Sequence, residues 1–193
     1  MKHALAALAI VAALGATKIA AAAPVGYEID PMHTFPSFEA DHMGVSKWRG
    51  KFNRSHGKVV LDKASGQGTV DITIDTSSID FGLAAMNKVG RGPELMDADR
   101  HGQARYQGRL EAFVDGAPTR VAGELTLRDV TRPVELKILS FKCRPHPLNK
   151  RDWCGADALA VIDRAAFGID AGKDWGFKME VTLRIQVEAV ALP

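Results

Sequence analysis

The chain has 193 residues and a formal net charge of +2, and 46% of its residues are hydrophobic. Basic and acidic residues are interspersed, which excludes the basic block that is typical of a nucleic-acid-binding domain. The length, with no internal repeat and no linker, predicts one domain that buries a substantial core.

The N-terminus has the features of an export signal. Lys2 and His3 precede an apolar run over residues 4–16, and small residues at 20–23 supply A-x-A cleavage sites. The run is shorter than the roughly 20 apolar residues that a membrane-spanning helix needs. We therefore predict a cleaved signal peptide over residues 1–23, a single domain over residues 24–193, and release into the periplasm.

Strand patterns follow this segment. Residues 69–75 place Val70, Ile72 and Ile74 on one face, because side chains alternate along a strand. A hairpin is predicted where Leu125 and Leu127 precede the polar residues 128–133 and apolar residues resume after Pro133. The other predicted strands cover residues 35–42, 49–61, 104–114, 134–143, 155–162 and 180–189.

About eight strands at this spacing are typical of an all-β sandwich or barrel. Residues 77–102 interrupt the rhythm and predict short helical turns across one end of the sheet. A sheet with one dry face favours closure into an antiparallel barrel, because closure removes the exposed edges. Eight strands enclose an interior that side chains fill or that holds one small ligand, and the pattern does not choose between these.

Two cysteines, Cys143 and Cys154, enclose ten residues that include two prolines and a polar run. In an oxidising compartment we predict a disulfide at the base of a long hairpin loop. Metal binding is the weaker interpretation, because two thiols and the nearby His146 fall short of the usual four zinc ligands.

Catalytic motifs are missing from the sequence. No serine lies in a Gly-x-Ser-x-Gly elbow, and no P-loop, H-E-x-x-H or G-x-G-x-x-G stretch occurs. We therefore predict neither an enzyme nor a bound cofactor or metal. Asp30, His33 and His42 form one polar set that could supply metal ligands or an acid/base pair. The alternative is that they hydrogen-bond the backbone near the barrel mouth.

Four segments together resemble the YceI-like family of polyisoprenoid-binding periplasmic proteins, and the likeness extends from about Tyr27 to Val190. They are residues 27–34 (YEIDPMHT), 41–46 with 49–52 (DHMGVS and RGKF), 125–136 (LTLRDVTRPVEL) and 162–169 (IDRAAFGI). The resemblance implies an extended, lipocalin-like antiparallel barrel with a long apolar isoprenoid in its lumen.

The resemblance also implies a non-catalytic function, the carriage or storage of an isoprenoid quinone or polyprenyl phosphate, with transient membrane contact. Arg164 could clamp the headgroup through bidentate hydrogen bonds, or could form an ion pair with Asp163 or another carboxylate. Leu95 and Met96 stand where the family has two aromatic residues and keep the apolar character. The predicted ligand-binding residues are Phe38, His42, Trp48, Phe52, Val70, Ile72, Ile74, Leu95, Met96, Tyr106, Arg164 and Phe167.

Two alternatives to the carrier stay open. One is a metal-dependent or redox protein that uses Asp30, His33 and His42. The other is a stress-related interaction protein whose barrel is filled by its own side chains.

Overall fold

The structure, a computed structural model, describes residues 23–193. The predicted signal peptide lies outside the described residues except for Ala23. None of the helices in the described part has the length and apolar character that crossing a membrane requires.

Within residues 23–193 the chain forms eleven antiparallel strands and one α-helix. The strands are β1 Val25–Ile29, β2 Phe35–His42, β3 Ser46–Phe52, β4 Ser55–Asp62, β5 Gln67–Asp75, β6 Ile79–Asp80, β7 Gln103–Glu111, β8 Arg120–Leu127, β9 Val130–Pro145, β10 Asp152–Asp163 and β11 Glu180–Ala191. The helix, α1, is Ala84–Arg91. The predicted all-β fold is confirmed.

Eight strands close into a barrel in the order β1, β4, β5, β7, β8, β9, β10, β11, and β11 returns to β1. Strand β11 is long enough to pair with two strands on its far side. Its last residues pair with β1, and its residues 181–186 pair with β2. Strands β2, β3 and β6 therefore extend the barrel wall at one end.

A short turn joins β1 to β2, beside the position on β11 where its pairing changes from β1 to β2. The Asp30 carboxylate accepts a hydrogen bond from the Met32 amide at 2.8 Å, and its other oxygen lies 2.7 Å from His33 Nδ1. Thr34 is buried and exchanges hydrogen bonds with the backbone of Glu188 on β11. These contacts fix the turn against β11, at the position where β1 and β2 separate.

The hairpin predicted over residues 125–136 is confirmed, but its turn is shorter than the polar stretch. Arg128 and Asp129 alone form the turn, both with positive φ, and β9 begins at Val130. Short hairpins favour such backbone conformations because these match the twist of the strands. Leu125, Leu127, Val134 and Leu136 are buried on the inner face, as predicted.

Two strand predictions need correction, and two strands were missed. Residues 49–61 form two strands, because the chain turns at Asn53 and Arg54, whose amides bond Ser78. Strand β7 ends at Glu111 and not at residue 114, since Ala112 adopts positive φ. Strands β1 and β6 were not among the predicted strands.

The helical interruption predicted within residues 77–102 is confirmed by α1. The Asn87 side chain accepts a hydrogen bond from the Phe81 amide at 2.7 Å and donates one to Asp80 at 2.9 Å. Gly90 faces the Phe81 ring, where a Cβ atom would approach within 2.7 Å. The helix is thereby held against β6 at one end of the barrel.

Candidate ligand-binding cavity

The inner face of the barrel encloses a cavity of about 580 Å³. This volume lies within the roughly 300–1,000 Å³ that is typical of ligand pockets. Among the described residues that line it, Asp41, Glu94 and Arg164 are the only charged ones, and all three lie toward the end that carries α1. The cavity is therefore an apolar chamber with its charged lining groups at one end.

Strand β5 shows how the sequence produces this wall. Val70, Ile72 and Ile74 line the cavity, as their alternation predicts. Asp71, on the opposite face, accepts hydrogen bonds from the Arg105 guanidinium at 2.8 and 2.6 Å. The Arg105 hydrogen bonds hold the pKa of the Asp71 carboxyl below its ordinary value, and burial opposes this shift.

Tyr106 presents its ring to the cavity and its hydroxyl to the barrel wall. The hydroxyl donates a hydrogen bond to the Val134 carbonyl oxygen at 2.8 Å, across strand β8. The side chain can lie there because Gly123 has no Cβ atom, which would approach the hydroxyl oxygen within 2.6 Å. Burial raises the pKa of Tyr106, so the residue remains neutral and offers an apolar face to a ligand.

Ten of the twelve residues predicted to bind ligand line this cavity. They are Phe38, Trp48, Phe52, Val70, Ile72, Ile74, Leu95, Met96, Tyr106 and Arg164. His42 and Phe167 are absent from the wall. His42 stacks on Trp48 with ring centroids 4.4 Å apart, and Phe167 is buried in the core beside a short helical turn. For both, the side-chain direction depends on contacts distant in sequence.

One end of the barrel, here called the mouth, is open. Three segments surround it: the turn after β2, helix α1, and the helical turn Lys173–Trp175. Trp48, Val89 and Trp175 all line the cavity, yet they are 37%, 52% and 76% exposed. Wall residues that also contact solvent mark an entrance.

The opposite end, here called the disulfide end, has buried wall residues. Tyr27, Leu61, Leu110, Pro118 and Cys154 line the cavity there and are all buried. The cavity therefore has one open and one covered end, which is the shape that a long apolar chain with a polar head would fit.

Aromatic side chains of β2, β3 and the residues next to α1 and the helical turn contact one another at the mouth. The His42 ring packs between Trp48 and Phe177, whose ring centroid is 5.2 Å away. Phe81 contacts Trp48 at 6.3 Å. Phe81 and Val89 were missed by sequence reasoning, although Met86 and Val89 recur at the three-residue spacing of one helix face.

Arg164 lies at the inner edge of the mouth with its guanidinium half-buried. Two of its N–H groups donate to the Ile169 and Ala171 carbonyl oxygens, at 3.0 and 2.7 Å. No carboxylate oxygen of the described residues lies within 4 Å of the guanidinium. Burial lowers the pKa of Arg164, and the more distant Asp170 and Asp163 oppose that shift.

The alternative of an ion pair between Arg164 and Asp163 is therefore wrong for this structure. The Asp163 carboxylate instead accepts a hydrogen bond from the Ala165 amide at 2.9 Å and begins a helical turn. A guanidinium has five donors, and the backbone occupies two. Arg164 thus keeps donors for an acceptor group that enters the mouth.

Asp30, His33 and His42 do not assemble into one site. Asp30 and His33 lie in the turn before β2, whereas His42 ends that strand, about 20 Å away at the rise of an extended chain. Burial raises the pKa of Asp30, but hydrogen bonds from His33 and Met32 outweigh it and lower the pKa overall. The interpretation of these three residues as one metal or redox centre is wrong.

The predicted disulfide between Cys143 and Cys154 is present, and it joins directly paired residues of β9 and β10. Residues 146–151 form the loop beyond it. Within residues 23–193, the one group of three metal-ligating side chains is Cys143, Asp152 and Cys154. Both sulfurs are bonded to each other, so no thiolate is free to hold a metal.

Comparison with known proteins places this barrel in a family. Residues 27–189 match the sequence model of the YceI-like domain. A UPF0312 protein of Ectopseudomonas mendocina is 32% identical over 196 residues, with 98% of each chain covered. A UPF0312 protein of Pectobacterium carotovorum is 33% identical over 137 residues, which cover 70% of this chain and 71% of the relative.

Solved structures share the fold at lower identity. BcnA of Burkholderia cenocepacia superimposes with a TM-score of 0.66 at 23% identity, covering 83% of this chain and 98% of its own. A protein of Saccharophagus degradans, described as a polyisoprenoid binding domain implicated in plant cell wall breakdown, gives 0.61 at 16% identity, covering 87% and 99%. These likenesses establish the fold.

Proposed function

The chain belongs to the YceI-like family, and from this premise we propose that it binds a long-chain isoprenoid lipid in its barrel, without catalysis, for carriage or storage. The observation that carries the proposal is the apolar cavity of about 580 Å³ with its charged lining groups at one end. The Saccharophagus degradans neighbour, described as a polyisoprenoid binding domain, supports the same ligand class.

Apolar burial supplies the driving force in this proposal. Transfer of hydrocarbon from water into an apolar chamber is favourable by roughly 25 cal/mol per Å² of buried surface. A prenyl tail along Val70, Ile72, Ile74 and Tyr106 would meet hydrocarbon and an aromatic ring, since the Tyr106 hydroxyl is bonded to the wall. Tail length should therefore dominate affinity. The alternative of an interaction protein, whose barrel is filled by its own side chains, agrees poorly with the presence of this cavity.

Arg164 is the residue that we assign to the head of the lipid. Its charge has no carboxylate within 4 Å among the described residues, and it retains donors beyond those that Ile169 and Ala171 accept. A phosphate or a quinone carbonyl at the inner mouth would accept hydrogen bonds from it. The head then orients the ligand with the tail toward the disulfide end.

The cellular setting is part of the proposal. The apolar run and small-residue stretch within residues 1–23 support export to the periplasm. A disulfide between Cys143 and Cys154 is compatible with that oxidising compartment. A carrier there would keep an insoluble prenyl chain out of water between membranes.

The test is a loading assay with delipidated protein and isoprenoids that vary one part at a time. Polyprenols of increasing length should bind with increasing affinity, and a polyprenyl phosphate should bind more tightly than the polyprenol of equal length. Replacement of Arg164→Met should remove the preference for phosphate and leave most of the length dependence. Arg109→Met is the matched control, because Arg109 is exposed on the outer face and pairs with Glu111. Absence of any length dependence would refute the proposal.

A further inference from the structure

The mouth exposes apolar side chains beyond those that line the cavity. Met43 and Val45 lie in the turn after β2, Leu83 precedes α1, Val89 lies on α1, and Trp175 lies in the helical turn. All five are exposed, and Val45 reaches 85%. We call these five residues the rim. Single exposed apolar residues are ordinary, but a group around one opening marks an interaction surface.

Geometry places the rim segments around the same opening. Val89 and Trp175 line the cavity together with Trp48. His42, directly before Met43, contacts both Trp48 and Phe177. The turn, the helix and the helical turn therefore meet at one end of the barrel, and their exposed side chains face the solvent there.

Basic residues outnumber acidic ones around the rim. Residues 43–49, 83–91 and 172–179 contain six basic residues and one acidic residue, Asp174, and Asp41 and Glu94 line the cavity at the same end. Lys47 and Arg49 lie within 4 Å of Glu39, at 3.9 and 3.0 Å. The other four have no carboxylate oxygen of the described chain within that distance. They are Lys88, Arg91, Lys173 and Lys178.

We infer that the rim is a docking surface for an anionic lipid bilayer. Apolar side chains and a tryptophan beside uncompensated lysines suit the interface between headgroups and acyl chains. Clustered basic residues are attracted to anionic headgroups over a Debye length. The inference rests on the proposed function in one respect, because docking would bring the mouth to the source of the cargo. Bilayer binding itself is measurable without cargo.

Cosedimentation with vesicles tests the surface. Vesicles of phosphatidylcholine alone are compared with vesicles of phosphatidylcholine and phosphatidylglycerol, at low and high salt. The variant Val45→Asp/Leu83→Asp places two carboxylates on the rim at positions that do not line the cavity. The matched control Val114→Asp/Leu148→Asp makes the same changes beyond the disulfide end, where Leu148 is 88% exposed.

The wild-type protein and the control should bind the anionic vesicles and release them in high salt. The rim variant should lose about tenfold or more of its partitioning, and should carry wild-type amounts of extractable lipid. Equal partitioning of the rim variant and the control would overturn the inference, and so would wild-type protein that binds neither kind of vesicle. In the latter case a protein partner would be the remaining occupant.

Failure of the docking surface and failure of the carrier are distinguishable. Extractable isoprenoid in a protein that ignores vesicles would overturn docking and leave the carrier. Rim-dependent vesicle binding by a protein that accepts no isoprenoid would support docking and refute the carrier.

Discussion

The two ends of the barrel differ in the contacts that their polar and aromatic side chains make. At the disulfide end, Asp152 accepts hydrogen bonds from the Tyr27 hydroxyl at 2.8 Å and from Lys63 at 2.7 Å. At the mouth, Trp175 is exposed and Arg164 has no carboxylate within 4 Å among the described residues. The Asp152 carboxylate is thus paired at the first end, whereas the Arg164 guanidinium keeps donors available at the second.

This difference separates residues that stabilise the barrel from those assigned to binding. Buried polar groups cost free energy unless they are paired, so a protein that retains an unpaired, half-buried guanidinium retains it at a cost. Changes at the disulfide end should therefore lower stability and leave binding intact. Changes of residues that line the lumen should instead reduce lipid binding.

The largest effect is expected in the lumen between the two ends. Ile72→Asp places a carboxylate against the proposed prenyl tail, and an unpaired buried polar group costs about 2 kcal/mol or more. Bound lipid per folded protein, measured by extraction and mass spectrometry, should fall more than tenfold. The neighbouring Thr73→Asp faces solvent beside Arg105 and should change little. Greater lipid loss in Thr73→Asp would contradict the register of β5.

The next effect concerns the disulfide. Cys143→Ser/Cys154→Ser should lower the free energy of unfolding by about 3 kcal/mol at most, the value that chain entropy gives for a loop of this size. Urea denaturation measures the loss. Lipid content should stay at the wild-type level, because the bond holds β9 to β10 away from the mouth. A variant that folds but binds no lipid would contradict the assignment of stability, and not of lipid binding, to the disulfide end.

The smallest effect is the pH dependence of Asp152. Burial raises the pKa of this carboxyl, but hydrogen bonds from Lys63 and Tyr27 lower it below its ordinary value of 3.8. The carboxylate therefore stabilises the folded state above pH 3.8, and this contribution is lost as the pH falls through the folded value. Solvent exposure of Lys63 and Asp152 keeps it below about 1 kcal/mol.

Denaturation of wild-type protein and of Asp152→Asn across pH 2–7 tests this point. Their difference in unfolding free energy should be largest near neutral pH and should disappear at the acidic end. The pair Asp71→Asn and wild type provides a comparison on the outer wall, where Arg105 also lowers a carboxyl pKa. A difference that grows toward low pH would mean that folding raises the pKa of Asp152 and does not lower it.

Local patterns of hydrophobic and polar residues predict much of the fold. The faces of β5 and the hairpin at Leu125–Leu136 follow from a two-residue period and a polar turn, which neighbouring residues determine. Strands β1 and β6 have only five and two residues, and they are strands because distant segments pair with them. Such pairing leaves little trace in a local pattern.

The residues of the candidate site also differ in whether a local pattern or a long-range contact determines their direction. Alternation identified inward residues such as Ile72, whereas the directions of His42 and Phe167 depend on packing across the chain. His42 lies between two rings that are six and 135 positions away. The Arg164 contacts were open from sequence as well, because the carbonyl groups of Ile169 and Ala171 reach it only after the chain turns back.

The most direct test of the carrier is mass spectrometry of an organic extract of the exported protein, purified without detergent. The account predicts one class of isoprenoid lipid at about one molecule per chain, strongly reduced in Ile72→Asp prepared in parallel. Protein that yields no isoprenoid, and that takes none up when offered polyprenyl phosphate or isoprenoid quinone, would contradict it.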